Sequence, residues 1–182
     1  MSARTSLTHP LQVQFIPSAW LETPGKLGIT FAPGKQAPSW FGEPWQRDLD
    51  LDLQRLVEVY HTDCLVSLLE EQEYSDLKIP DLREKATALG MRVLHLPIPD
   101  GSTPPDAVAF QAVIQEAIAL LRADKTVVVH CRGGLGRAGT ITAAILITLG
   151  RSPNIAIQQV RETRPGAIEN ERQEQFLLGL VP

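Results

Sequence analysis

The sequence predicts an α/β fold, in which a single domain carries a central, mainly parallel sheet with helices on both faces. Strand-like apolar runs alternate with longer segments of helical periodicity along most of the chain, an order typical of parallel sheets. The run Val127-Val128-Val129 is apolar at every position, as expected for a strand that is covered on both faces. With 182 residues, 43% of them hydrophobic and 21% charged, the chain has the length and composition of one domain with its own core.

The N-terminal part is the least regular. Residues 1–25 are expected to form either an ordered wrap or a loose arm, and residues 26–182 to form the domain. A short strand is predicted near Leu27–Phe31. The segment Arg47–Tyr60 repeats leucine and valine at helical spacing, which predicts a helix.

The rest of the chain alternates regularly between the two element types. Ser152 suits the cap of a helix that has Pro153 in its first turn. The predicted elements are, in chain order, strand Cys64–Leu69, helix Asp81–Leu89, strand Arg92–Leu96, helix Asp106–Arg122, strand Thr126–His130, helix Ala138–Leu149, a helix from Pro153 to about Arg164, and helix Glu171–Leu180.

A glycine-rich loop joins the central strand to the next helix, with the sequence His130-Cys131-Arg132-Gly133-Gly134-Leu135-Gly136-Arg137. Its glycines let successive backbone N–H groups converge on one anion, and the helix N-terminus adds further free N–H groups. Arg137 adds a planar fork that can bind two phosphate oxygens. The loop lacks the Lys-Ser/Thr ending of an ATP-binding loop and the glycine spacing of a dinucleotide site. It therefore predicts a phosphate site, with a buried structural cysteine as the alternative.

Cys131 is the candidate nucleophile. The same N–H groups and the nearby cation favour its thiolate near neutral pH. A thiolate below a phosphorus atom can attack it and form a phosphocysteine. Because Cys131 then needs no base, His130 is expected to stabilise the loop by hydrogen bonds.

The leaving oxygen needs a proton, and Asp100 is the candidate general acid. It lies in the segment 97–105, which follows a predicted strand. Loops at the carboxyl ends of parallel strands meet at one edge of the sheet, so this segment and the cysteine loop should be neighbours. Asp-Gly after proline is also typical of a plain turn. Asp106 is the alternative acid, although it lies where the first turn of a helix favours an acidic residue.

Several other polar residues carry no predicted site. Cys64 is interpreted as a buried apolar residue within a strand. The remaining histidines share no spacing with cysteine or carboxylate residues, so no metal site is predicted. The acidic residues that follow the strand ending at Leu69 are interpreted as a solvated face, namely Glu70, Glu71, Glu73 and Asp76.

The loop His130–Arg137 resembles that of the cysteine-dependent protein tyrosine and dual-specificity phosphatases. Pro97-Ile98-Pro99-Asp100-Gly101 resembles their mobile acid loop, and Arg161–Glu169 with Gln173 and Phe176 resembles their C-terminal segment. Within this superfamily the sequence is most similar to the cyclin-dependent-kinase-associated dual-specificity type. The segments that carry this similarity are Gly28–Lys35, Gly133–Arg137 and Gly166–Ile168.

The resemblance implies roles for particular residues. It makes Cys131 the nucleophile, Arg137 the phosphate clamp and Asp100 the general acid and then base. It makes Gln173 the residue that positions water, with Gln175 as the alternative in a shifted register, and it implies no cofactor and no metal.

One position departs from the family pattern. The family usually has Ser or Thr directly after the loop arginine, where its hydroxyl stabilises the departing thiolate, and this chain has Ala138. Thr140 is a candidate substitute, although it points elsewhere along the helix. The departure leaves the rate of phosphocysteine breakdown open.

Together these features predict a metal-independent phosphomonoester hydrolase that acts on phosphotyrosine in proteins, with phosphoserine and phosphothreonine as further candidates. The alternatives are a phosphatase-like phosphoprotein-binding module with little turnover, and a phosphatase for small or lipid phosphates. The single loop base Arg132, where lipid-directed relatives carry two lysines, weighs against a lipid.

The predicted partner is a phosphorylated protein, with a kinase as one candidate, and the oligomeric state is left open. The net charge of −4 does not indicate binding to nucleic acid or to an anionic membrane. A cysteine that must stay reduced and the lack of a signal peptide favour the cytoplasm.

Overall fold

The computed structural model of the protein describes residues 3–38 and 43–181. Its elements are, in chain order, β1 (Gln14–Phe15), α1 (Ser18–Leu21), β2 (Lys26–Phe31), β3 (Gln36–Ala37), β4 (Trp45–Gln46), α2 (Leu49–Glu58), β5 (Cys64–Ser67), α3 (Glu71–Asp76), α4 (Leu82–Ala88), β6 (Arg92–His95), α5 (Ala107–Arg122), β7 (Thr126–Cys131), α6 (Gly136–Thr148), α7 (Pro153–Thr163) and α8 (Glu171–Leu178).

A five-stranded sheet lies at the centre of the domain, with the strand order β1-β2-β7-β5-β6. The strands β2, β7, β5 and β6 are parallel, and only β1 at one edge runs antiparallel to its neighbour. The apolar strand β7 is central and buried along its whole length. The predicted fold class is therefore confirmed, with one antiparallel edge strand.

The two faces of the sheet bury separate apolar clusters. Successive side chains of β7 alternate between them, since Val127 and Val129 face one cluster and Val128 faces the other. The first cluster packs the sheet against α5, α6, α7 and α8. The second packs it against α2, α3 and α4. Each fully buried leucine, isoleucine or valine contributes about 1.5–3 kcal/mol to this packing.

Part of the segment predicted as an arm or wrap is packed on the domain. β1 pairs with β2, and the side chains of Leu11, Ile16 and Leu21 are buried. Leu11 joins one cluster, and Ile16 and Leu21 join the other. None of the described helices is long and apolar enough to cross a membrane.

Several boundaries differ from those predicted. α2 starts at Leu49 because the carboxylate of Asp48 caps it by accepting the Leu51 N–H. α6 starts earlier than predicted, at Gly136, so the cysteine loop runs directly into its first turn. The short elements β1, α1, β3, β4 and α3 were not predicted, since each is too short to show a periodic pattern.

Candidate active site

Loops from the three strands β7, β5 and β6 meet at the carboxyl edge of the sheet. Cys131 ends β7, and Arg137 follows in the first turn of α6. Arg137 Nη1 donates hydrogen bonds to the carbonyl of Leu68, after β5, at 3.4 Å and to that of Ile98, after β6, at 2.9 Å. The arginine of the predicted phosphate site therefore ties these loops together.

The cysteine loop curls around the sulfur atom. The N–H of Gly134 donates to Cys131 Sγ at 3.3 Å. Gly134 has a φ of +68°, and a Cβ added there would lie 2.5 Å from the carbonyl carbon of Thr30. The position therefore requires glycine for its backbone angle and for its close approach to β2.

Arg137 is held by a carboxylate that the sequence did not indicate. Its Nη1 and Nη2 donate to Glu73 Oε2 at 2.6 Å and to Oε1 at 2.9 Å. The interpretation of Glu73 as part of a solvated face is therefore wrong, because α3 turns this side chain inward and leaves it only 7% exposed. Burial alone would raise the pKa of Glu73, but the hydrogen bonds from Arg137 hold it below its ordinary value of 4.5.

The edge of the Arg137 guanidinium that carries Nε and Nη2 makes fewer hydrogen bonds within the described residues. Its Nε is buried and makes no hydrogen bond within the described residues. Its Nη2 also lies 3.0 Å from Asp100 Oδ1, and the Asp100 side chain is 73% exposed. This edge can therefore offer two donors to an anion that replaces the Asp100 carboxylate.

The two candidate acids occupy different positions. Asp106 caps α5, where its carboxylate accepts the N–H groups of Val108 and Ala109 at 2.9 Å each. Asp100 instead reaches Arg137 in the predicted site. Of the two candidates, Asp100 therefore lies beside Arg137, whereas Asp106 is engaged as a helix cap.

The two candidate glutamines also differ. Gln175 is exposed, whereas Gln173 is fully buried beside the cysteine loop. A Cβ added to Gly136 would lie 2.8 Å from Gln173 Nε2. The Gln173 amide accepts the N–H of Glu169 at 2.9 Å and donates to the carbonyl of Ser102 at 3.4 Å. Gln173 thus links the acid loop, the cysteine loop and the C-terminal segment.

The expected hydrogen bonding by His130 is not found. Neither ring nitrogen makes a hydrogen bond of good geometry within the described residues. Burial lowers the pKa of His130 to about 3, although the adjacent backbone of Cys131 opposes the shift. His130 is therefore a neutral, fully buried side chain of the central strand.

The position after the loop arginine offers no hydroxyl. Ala138 is fully buried in the core. The hydroxyl of Thr140 donates to the Gly136 carbonyl at 2.8 Å within its own helix. Thr140 therefore does not direct its hydroxyl proton at Cys131.

Two further cations contact the cysteine loop from distant parts of the chain. Arg164 donates to the carbonyls of Gly134 at 3.2 Å and Gly133 at 3.5 Å. Lys35 donates to the carbonyl of Arg132 at 3.3 Å. Both residues were missed as site residues, although each lies in or next to a segment that carries the family resemblance.

A cleft of about 300 Å³ opens over the loop. It is lined by both charged and apolar residues, namely Lys35, Ala37, Pro38, Trp45, Leu77, Asp100, Arg132, Gly133 and Glu169. Among residues 3–38 and 43–181, no group of three histidine, cysteine or acidic side chains could hold a metal ion. The described part of the site thus combines a cysteine whose sulfur accepts the Gly134 N–H, an arginine with an unpaired Nε, and the nearby carboxyl group of Asp100.

The second cysteine lies too far away to form a disulfide with the first. Cys64 pairs with Val127 at the start of β7. Cys131 comes four residues later on the same strand, which is roughly 13 Å at the usual rise. A disulfide requires Cα atoms within about 7 Å. Burial raises the pKa of the Cys64 thiol to about 12, so it behaves as the apolar residue that was predicted.

Comparison with known proteins identifies the family. A family model described as "Polymorphic toxin system, DSP-PTPase phosphatase" matches residues 42–151, more than half of the chain. The chain is a DSP-PTPase phosphatase. The superfamily suggested by the cysteine loop is thereby confirmed.

This phosphatase is similar to proteins of Rattus norvegicus and Dictyostelium discoideum. It is 29% identical over 171 residues to Cyclin-dependent kinase inhibitor 3 of Rattus norvegicus, covering 92% of this chain and 77% of the rat protein. It is 38% identical over 95 residues to a probable protein tyrosine phosphatase type IVA A of Dictyostelium discoideum, covering 52% and 57% of the two chains. A crystal structure of kinase associated phosphatase, with its catalytic site cysteine replaced by serine, aligns with a TM-score of 0.84, 25% identity and 92% coverage of each chain.

Proposed function

We propose that this phosphatase is a metal-independent hydrolase of phosphotyrosine, and of phosphoserine or phosphothreonine, in proteins. The observation that carries the proposal is the geometry of Arg137. One edge of its guanidinium is fixed by Glu73, while Nε is free of partners within the described residues and Nη2 reaches the exposed Asp100. A phosphoryl group above Cys131 would accept both donors at this edge and release the Asp100 carboxyl group.

In the first step the Cys131 thiolate attacks phosphorus. An S–P bond forms while the bond from phosphorus to the substrate oxygen breaks, and protonated Asp100 donates its proton to that oxygen. The charge on the phosphoryl oxygens is stabilised by Arg137 and by the loop N–H groups. The products of this step are the free hydroxyl compound and a phosphocysteine.

In the second step a water molecule releases the phosphate. Gln173 orients the water, and ionised Asp100 removes its proton as the oxygen attacks phosphorus. The S–P bond breaks, its electron pair returns to Cys131 as a thiolate, and Asp100 is again protonated. For this step Gln173 would exchange its present hydrogen bonds to Glu169 and Ser102 for one to water.

We propose a phosphorylated protein as the substrate, with a kinase as one candidate. The curated relative named Cyclin-dependent kinase inhibitor 3 and the solved structure titled kinase associated phosphatase both refer to a kinase by name. The apolar cleft residues, including Trp45 and Leu77, offer contacts to the substrate chain beside the phosphate. Comparing phosphopeptides with small and lipid phosphates at equal concentration tests this choice, and a faster reaction with the lipid would overturn it.

The proposed reaction is tested by hydrolysis of a generic aryl phosphate in EDTA and reductant. The wild type is expected to turn over, and Cys131→Ser is expected to lose turnover while still binding vanadate or phosphate. Substantial turnover by Cys131→Ser, or dependence of the wild type on an added metal, would disprove the mechanism.

The second candidate function is a binding module that holds phosphorylated partners with little turnover. Its support is that Ala138 supplies no hydroxyl and that the hydroxyl of Thr140 is engaged by Gly136. A burst of one product per enzyme, followed by a stalled phosphocysteine, would favour this candidate over a rapid hydrolase.

A further inference from the structure

Lys35 is a buried cation that reaches the cysteine loop from outside it. It follows β2, is only 7% exposed, and donates from Nζ to the carbonyl of Arg132 at 3.3 Å. Nζ also lies 4.5 Å from the ring centre of Phe31 and 4.3 Å from that of Trp45. These rings hold the ammonium group beside the loop and shield it from water.

The charged groups around Lys35 come from several elements. Burial lowers the pKa of Lys35 to about 8, and the nearby Cys131 opposes this shift by favouring the protonated amine. Arg47, Arg132 and Arg164 add to the lowering. Asp100 and Glu169 line the same cleft. The negative charge of the Cys131 thiolate favours a charged Lys35, so the two side chains are electrostatically coupled.

We infer that Lys35 is a positioning residue of the phosphatase, whose ammonium group fixes the Arg132 carbonyl and stabilises both the Cys131 thiolate and the bound phosphoryl group. This inference rests on the proposed function. We do not place Lys35 in contact with the reacting atoms. It acts through the loop and through its charge.

A pH dependence follows from this placement. Above about pH 8 Lys35 loses its proton, and a neutral amine can keep the hydrogen bond to Arg132 but no longer supplies charge. Inorganic phosphate remains a dianion in this range, so its binding should weaken because the protein changes and not because the ligand does. An arginine at position 35 would stay charged and remove this weakening.

The test uses alkylation of Cys131 by iodoacetamide, with inorganic phosphate as the protecting ligand. Cys64 is fully buried and burial raises its pKa to about 12, so it reacts little at the pH values used and the rate reports on Cys131. Lys35→Met is expected to move the pH midpoint of alkylation up by about one unit and to weaken phosphate protection at pH 7 about tenfold. Lys35→Arg is expected to keep protection above pH 8, where the wild type loses it. Lys85→Met, at an exposed lysine paired with Asp50, serves as the control and should behave as wild type.

Two results would overturn the inference. One is a Lys35→Met protein with the alkylation midpoint and phosphate protection of the wild type. The other is a Lys35→Arg protein that loses protection above pH 8 just as the wild type does, and this comparison remains informative if Lys35→Met does not fold. Neither readout needs turnover, so an inactive wild type would refute the proposed function while these measurements still decide the role of Lys35.

Discussion

Glu73 and Arg137 form a buried, two-pronged ion pair that joins α3 to the first turn of α6. The two N···O distances are 2.6 and 2.9 Å. Because the guanidinium group is planar, hydrogen bonds that fix one of its edges also fix the direction of the other edge. An arginine without such partners would be flexible. Glu73 lies outside both the cysteine loop and the acid loop, and its contact with the site is its pair of hydrogen bonds from Arg137.

Glu73→Gln should lower kcat/KM for an aryl phosphate by about 10²-fold, the loss typical of a misplaced catalytic group. The amide keeps the size of the side chain but replaces one acceptor oxygen with a donor that faces Arg137. Steady-state kinetics should show the loss, and a phosphate titration should show weaker binding.

Glu71→Gln is the matched control for this variant. Glu71 lies on the same helix but is exposed, and it pairs with Arg83. Its substitution should leave kcat/KM nearly unchanged. Equal losses in the two variants would mean that general damage to α3, and not the hold on Arg137, limits activity.

Asp100→Ala should slow turnover by about 10²–10⁴-fold, the usual contribution of a general acid. The loss should be smaller with aryl phosphates whose leaving group needs no proton. Asp106→Ala should instead lower stability by about 1 kcal/mol through loss of the α5 cap, with kcat retained. A larger catalytic loss in Asp106→Ala would reverse the assignment of the acid.

Gln173→Leu should slow release of phosphate more than formation of phosphocysteine, because water loses its orienting partner. Rapid-quench kinetics are expected to show a full burst followed by turnover reduced about 10²-fold. Gln175→Leu, at the exposed neighbour, should behave as wild type. If the burst itself disappeared in Gln173→Leu, the residue would be acting on the first step.

Ala138→Ser should speed breakdown of phosphocysteine and reduce the burst, since it restores the hydroxyl that the family usually has at this position. Single-turnover and steady-state rates would measure the effect, expected to be about tenfold, or about 1.4 kcal/mol. Thr140→Val should leave both rates unchanged because its hydroxyl bonds to Gly136. A slow second step in Thr140→Val alone would show that Thr140 replaces the missing group.

His130 should make the fold sensitive to acid. The unfolded chain binds a proton at His130 below about pH 6.5, whereas burial keeps the folded side chain neutral down to about pH 3. The unfolded state therefore holds more protons in this window, and the free energy of unfolding falls as pH decreases, by about 1.4 kcal/mol per pH unit.

Denaturant unfolding between pH 6.5 and 5 measures this slope, which should be smaller in His130→Asn. Glu73, whose pKa is held below 4.5, contributes stability that is lost only at lower pH. An unchanged slope in His130→Asn would assign the acid sensitivity to another group.

The sequence was sufficient for the order of strand, loop and helix around Cys131, which depends on neighbouring residues. The apolar run of β7, the glycines and Arg137 lie within a few residues of Cys131, so the strand, the loop and the following helix could be predicted together, although α6 begins two residues earlier than predicted. The prediction that Asp100 lies near the cysteine loop needed one further step, the rule that parallel strands end at the same edge. The rule applied because β6, β5 and β7 are adjacent and parallel.

Only the tertiary structure decided which distant side chains support the loop. Glu73 lies 64 residues from Arg137, and Lys35 lies 97 residues from Arg132. An acidic run after a strand has the composition of a solvated surface, and nothing local distinguishes Glu73 from its exposed neighbour Glu71. The physical reason is that burial and pairing of a charge are properties of the packed fold: α3 turns one carboxylate toward a guanidinium contributed by another element, and the Phe31 and Trp45 rings hold one lysine against the loop.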